Sequence, residues 1–375
     1  MNRFRKNALW IAGTLAVVLA ATGLALRAAG ARQEIERWNE YQRNRKAAGE
    51  DLGVGAWQPP NVAGEDNLMD HPWMRDFLAS ESSEAANAVA ALQPWPELGL
   101  DGYDPPAEAQ SWFDGKEAEA IKVRETARLF ATHLNGIHEA AKRQSCRLPV
   151  DSARFYEAFN GSWVRLGKLP KVLVVQADAA ISQGDGEAAC EHLVALFRLG
   201  KHLRSQNFML ASVLGASFEG QAAGATELGL DRGIFSPEMR GRLLASMRPR
   251  PLAEELVAAM KVERAEFLQQ LELLPSSPVR GIRRFSPQNL FNPPERIKAA
   301  NALFFCGTLD SALNQTPSRE TWERFDTSLQ EITKKDSAPS LAAGALFGLR
   351  GIIRSLFFLE DDLERLRTKL RVQGE

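Results

Sequence analysis

The side chains able to do chemistry in this chain are few: one interior carboxylate, three clustered arginines, three cysteines and five histidines. The carboxylate is Glu263. Between Leu252 and Leu274 an apolar stripe runs through Leu256, Met260, Glu263, Phe267, Leu271 and Leu274, at the three- and four-residue steps of one helical face. A charge on that face must be paired or titrate high, because burying it alone costs several kcal/mol. Two roles stay open for Glu263: a structural ion pair, or an acid or ligand group. The arginines follow at once. Arg280, Arg283 and Arg284 stand beside Phe285, Leu290 and Phe291 in the long connection 276–294. Guanidinium forks among aromatics suit a carboxylate, a phosphate or an anionic head group; the same loop could instead be laid across a core by its apolar residues. Glu263 with Arg280, Arg283 and Arg284 is thus the candidate ligand or anion site.

Cys146, Cys190 and Cys306 have no CxxC spacing and cannot form a four-cysteine zinc site. In an oxidising compartment Cys146 with Cys190 is the pairing expected first, since each lies beside the central helices; three buried thiols are the alternative. His133 and His138 are five residues apart and point in different directions on a helix, and no HExxH occurs. No metal is expected. The glycines of Ala211–Gly229, including Gly220 and Gly224, have neither a preceding strand nor a GxGxxG or lysine pattern, so they read as close helix packing rather than as a phosphate cradle. Glu219 and Glu227, eight apart on that helix, could share a face and alone make a weak site. No catalytic motif is present, no cofactor is implied, and the chain is read as a non-enzyme.

The elements that must position these groups are all helical. Lys171–Leu203 is a helical hairpin turning at Gly184-Asp185-Gly186. Its first arm is apolar nearly all round, and its second carries Ala189, Leu193, Leu196, Phe197, Gly200 and Leu203 on one face. WVRLG at 163–167 matches the opening of a tetratricopeptide repeat, and a shifted register puts Gly184 in the turn, but no second unit lies 34 residues away. The expected fold is all-α, an irregular bundle of helical hairpins, tetratricopeptide-like in one hairpin but not an array. Further helices are expected at 73–92, at 116–143 with its stripe Val123, Ala127, Phe130, Leu134, Ile137 and Ala141, from Ser236-Pro237 onward, at 295–313, and at 319–334 with Ser318 as cap.

The amino terminus sets the location. Ala8–Leu26 is uncharged and apolar, preceded by Arg3, Arg5 and Lys6, and as a helix nearly spans the ~30 Å hydrocarbon layer. It is read as an uncleaved transmembrane anchor because it exceeds a signal-peptide core of about 7–15 residues; a cleaved signal peptide, with Ala29-Gly30-Ala31 as its site, is the alternative. The expected plan is a cytoplasmic tail at 1–7, the anchor at 8–26, a helical stalk at 27–48, a Gly/Pro-rich linker at 49–72 and an extracytoplasmic domain at 73–375. Arg350 and Arg354 make a second span near the carboxyl end expensive, about 2.5–3.5 kcal/mol each at midplane, so that helix is expected to pack on the core or on a membrane surface. A formal net charge of −1 with 25% charged residues gives no footprint for nucleic acid.

From Cys146 to about Leu271, CRLPVD, an apolar helix, GDGEAACEHLVALFRLGKHL, a small-residue helix, FSPEMRGRLLASM and KVERAEF follow in an order that resembles a group of membrane-anchored, helix-rich proteins of planctomycete and verrucomicrobial bacteria. The resemblance covers roughly a third of the chain. Where such proteins close on a tyrosine-containing segment, this chain ends LRTKLRVQGE. The resemblance implies an anchored α-helical envelope protein and no reaction; because a short basic tail normally stays inside, the chain is expected in the inner membrane with its amino terminus cytoplasmic and its main domain periplasmic. The sequence reading is therefore a membrane-anchored interaction or assembly module with a protein partner.

Overall fold

The computed structural model describes residues 30, 32–53, 62–79, 83, 86–87, 131–147, 165–247, 252–273, 294–333 and 339–372. Among them every regular element is helical, and an isolated bridge between Asn67 and Ser145 is the sole sheet-like contact. The helices are α1 (residues 32–47), α2 (Pro72–Ala79), α3 (Ala131–Ala141), α4 (Leu169–Gln183), α5 (Gly186–Arg204), α6 (Met209–Asp231), α7 (Pro237–Ser246), α8 (Leu252–Leu273), α9 (Pro294–Leu313), α10 (Arg319–Thr333) and α11 (Ser340–Val372). They belong to two compact units. Unit 1 takes residues 1–56 and 263–350, unit 2 residues 57–262 and 351–375.

Unit 2 is organised on the α4–α5 hairpin and α6. Gly184 closes α4 at φ +74°, a left-handed conformation that favours glycine, and its N–H caps Ala180 and Ile181 carbonyls. Asp185 then opens α5 by accepting from the Ala188 N–H at 3.0 Å. The predicted stripe Ala189, Leu193, Leu196, Phe197 and Leu203 is buried, but so are Cys190, Val194, Ala195 and Leu199. The hairpin is therefore enclosed on more than one face, with α6 as a principal neighbour. A Cβ on Gly215 of α6 would stand 2.5 Å from the Gly200 carbonyl oxygen and 2.7 Å from Arg204 Cγ, and one on Gly200 would stand 2.8 Å from the Gly215 oxygen. Only two glycines let these backbones meet. Ser236 caps α7 as expected, accepting from Met239 N–H at 3.2 Å with Pro237 at the first position. The last turns of α11 return Leu359, Leu363, Leu366 and Leu370 to this core, while the buried Arg367 donates to the Met247 carbonyl at the end of α7, at 2.7 and 3.1 Å.

Unit 1 contains α1, the end of α8, α9, α10 and the start of α11. Phe267 stacks on Phe305 with centroids 4.0 Å apart, and Trp322, Phe325 and Leu329 form the buried face of α10, as their spacing requires. Ser318 caps α10 through Thr321 N–H at 3.1 Å. Asn301 accepts from the Ala342 N–H at 3.0 Å, satisfying an orphan donor at the start of α11.

Three parts of the expected domain plan change. Within the stalk at 27–48, α1 is built into unit 1 by Glu34–Arg296 and by Tyr41 and Arg45 on Asp310. The linker at 49–72 contains a 3-10 turn, Leu68–Asp70, capped by Asn67, whose Leu68 and Met69 are core residues of unit 2. Two adjacent apolar side chains outweighed the turn-forming composition around them. The single domain at 73–375 is divided between the two units, because chain segments distant in sequence complete each core. The tail at 1–7, the anchor at 8–26, and residues 116–130 of the third predicted helix lie outside the described residues. Among those described, Leu341–Val372 of α11 is long and apolar enough to cross a membrane; Arg350, midway along its apolar part, is bonded to Asp326 of α10 at 3.0 Å.

Candidate functional site

The charged side chains on α8 are the first candidate. The sequence places Glu263 in the buried stripe, but it is Arg264 and Glu266 that are buried, with Glu263 at the margin. Residues Arg264 to Leu268 are buried consecutively, so the helix is enclosed all round and a single-face stripe cannot identify its interior polar groups. Glu266 has its carboxyl pushed up to about 9, first by burial and then by the negative charge of Glu263. It holds a proton at neutral pH. Its Oε1 meets no hydrogen-bond partner among the described residues.

One residue before Ala265, Arg264 enters a cluster of charges, its Nε alone of the three guanidinium nitrogens left without a hydrogen bond among the described residues. It donates from Nη1 to Asp310 Oδ1 at 3.0 Å and from Nη2 to Glu50 Oε2 at 3.1 Å. Arg45 of α1 donates to the same Glu50 oxygen at 3.2 Å and pairs with Asp310. Tyr41 donates its hydroxyl to Asp310 Oδ2 at 3.0 Å, stacks on Trp38 and lies under the Arg45 guanidinium, 5.3 Å from its ring centroid. Two guanidinium groups face two carboxylates, so the cluster is neutral. Burial raises the Tyr41 phenol and pushes the Cys306 thiol up to about 12, which keeps both protonated and unreactive. This arrangement holds α1, α8 and α9 together.

Unit 2 has two polar constellations of its own. Arg204 of α5 donates from Nη1 to Glu219 Oε2 at 2.5 Å and from Nε and Nη2 to Glu255 Oε2 at 3.0 and 2.8 Å, all three side chains being largely buried. Glu219 is thus a structural partner, whereas Glu227, its proposed face-mate, pairs with Lys369 at 3.2 Å. The second constellation joins His138 of α3 to His192 of α5, Nε2 to Nδ1 at 3.0 Å. One ring must donate and the other accept, so the accepting ring is neutral. Burial depresses both, His192 to about 4 with help from the His138 ring, against the opposing negative charge of Asp185. Around His138 stand Glu191, Lys142 and Glu139. His133, as its spacing implies, points elsewhere and accepts from Trp73 Nε1 at 3.1 Å. No group of three or more histidine, cysteine or acidic residues suited to a metal occurs among the described residues.

Of the predicted ligand set, Arg280, Arg283 and Arg284 lie outside the described residues, so only Glu263 is placed. Cys146 and Cys190 are free and buried, like Cys306, and form no disulfide; Cys190 Sγ instead contacts the Met239 carbonyl at 3.7 Å. The sequence reading missed Arg264, Glu266, Arg204 and the histidine pair. Arg204 and Glu219 had a usable signal, a charge of each sign on helices whose neighbours are apolar or small. The histidines, 54 residues apart, had none. Compared with protein-family models, curated proteins and solved structures, the chain matches none, and the tetratricopeptide likeness of the hairpin gains no support from them.

Proposed function

We propose that this protein is a membrane-anchored helical interaction or assembly module of a bacterial cell envelope, single-pass through residues 8–26, with residues 1–7 cytoplasmic and both helical units periplasmic. One observation carries the reading: the helix that follows the apolar run is part of unit 1, fixed by Glu34–Arg296 and by the Tyr41–Arg45–Asp310–Arg264 cluster. An anchor joined this way holds a folded body against the bilayer rather than on a loose tether. The arginines and carboxylates of the described clusters bond chiefly to one another, which favours work done through surfaces, with a protein partner, over chemistry in a site. Carrying arginines into the run, Leu15→Arg with Leu19→Arg, should release the full chain from carbonate-washed membranes. Crosslinking in intact cells should then recover a protein partner from the unaltered chain. Turnover of an envelope substrate by the purified protein, with no partner recovered, would overturn the module reading.

A second reading, a small-molecule or anion binder or an envelope enzyme, is favoured by one feature: the buried, protonated Glu266 beside the half-buried Glu263. A carboxyl that keeps its proton at neutral pH can serve as an acid. Glu266→Gln keeps the shape of the neutral acid. Loss of ligand binding or turnover in a fully stable Gln variant would support this reading, and an unchanged protein would remove it.

A further inference from the structure

We infer that one end of unit 1 is a bilayer-contacting surface, made by Leu273, Ile297 and Leu341. Each is a large apolar side chain left out of the core, 77%, 43% and 45% exposed respectively. Hydrogen bonds bring them to the same end of the unit. Lys298 Nζ donates to the Glu272 carbonyl at 3.1 Å, joining the last turn of α8 to the first turns of α9. Asn301 donates to the Ile297 carbonyl at 2.8 Å and accepts from the Ala342 N–H at 3.0 Å, joining α9 to the first turn of α11. Leu273, Ile297 and Leu341 are each within one residue of a member of this chain of bonds.

What covers that end follows from how α1 enters it. Arg296, next to Ile297, donates to Glu34 at 2.7 Å, so the start of α1 is fixed at the same place. Glu34 is eight residues past Leu26, the last residue of the apolar run. Eight residues reach roughly 12 Å as helix and roughly 28 Å when extended. If residues 8–26 cross the membrane, as proposed above and on which this inference rests, the three exposed side chains lie at the end of unit 1 nearest the lipid. Lys298 stands beside Ile297 and can reach head groups while the apolar side chains meet the acyl boundary, Arg296 being held by Glu34. The occupant is the phospholipid surface itself.

The test uses the full chain in phosphatidylcholine/phosphatidylglycerol vesicles. Single cysteines at Ile297→Cys and Leu341→Cys are labelled with nitrobenzoxadiazole, and Leu210→Cys in unit 2, also 45% exposed, is the reference. The three native cysteines are buried, which leaves the introduced thiol as the accessible one. Probes at 297 and 341 should shift to the blue and lose emission to doxyl-labelled lipid, while the probe at 210 stays open to iodide. Iodide quenching at 297 and 341 equal to that at 210, in vesicles that float with the protein, overturns the inference and leaves the anchor standing. A blue shift insensitive to doxyl lipid means that protein covers the patch, and overturns it too. Failure of the full chain to float with the vesicles overturns the anchor and the inference together.

Discussion

Unit 2 brings its central helices into contact at glycine, and unit 1 brings its helices together around opposite charges. In unit 2 the α5–α6 approach at Gly200 and Gly215 leaves no space for a β-carbon, and Arg204 passes over Gly215 to reach Glu219 and Glu255. In unit 1 two arginines and two carboxylates share their bonds, and Tyr41 closes the set. Arg204 serves both Glu219 and Glu255, whereas the cluster of unit 1 has two cations and keeps one when the other is lost. Unit 2 should accordingly be brittle at a single position and unit 1 tolerant.

The largest effect should come from Arg204→Ala, which leaves Glu219 and Glu255 without this shared cation, at a cost of about 3–5 kcal/mol. Hydrogen exchange should show protection lost first in α5 and α6; retained protection there would break the comparison. Arg264→Met should cost less, roughly 1–3 kcal/mol, because Arg45 still faces Glu50 and Asp310. Gly215→Val should destabilise by about 1–3 kcal/mol by forcing α6 away from the Gly200 carbonyl, measurable by urea titration.

The units should also differ in the sign of their pH dependence. Glu266, with a folded pKa of about 9, binds a proton that the unfolded chain gives up, so its contribution to unit 1 is complete below the ordinary carboxylate range and is lost as pH rises toward 9. His138 and His192 are depressed, so their contribution to unit 2 is complete above the ordinary histidine value and falls as pH drops toward about 4. Glu266→Gln should flatten the alkaline loss in α8 peptides, and His192→Gln the acid loss in α3 and α5. A common pH profile in both sets of peptides would contradict the assignment. The smallest effect is expected at the exposed Arg319–Glu323 pair, where Glu323→Ala should cost no more than about 0.5 kcal/mol.

Local order was open to reading in the chain because helix spacing and caps are local physics. The turn at Gly184-Asp185, the cap at Ser236 and the buried face of α10 each depend on residues within a turn or two of one another. Glu263 shows the limit. Its stripe was sound at Leu256, Met260, Phe267 and Leu271, but a stripe assumes one packed face, and α8 is enclosed on every side around Glu266. The place of α1 was hidden for a related reason. RQEIERWNEYQRNRK alternates charges of both signs and reads as a stalk, until Asp310, more than two hundred residues away, accepts from its Arg45 and Tyr41.

By itself the sequence determined an all-helical chain, its hairpin and caps, and an apolar run at residues 8–26 with the basic residues before it. These follow from periodicity, turn chemistry and hydrophobicity, which act over a few residues. The tertiary structure alone decided which charges are buried and with whom, that Cys146 and Cys190 stay apart as thiols, that His138 meets His192, and that 73–375 is shared between two units. Pairing across tens or hundreds of residues depends on the distances that folding creates, and no spacing along the chain records them.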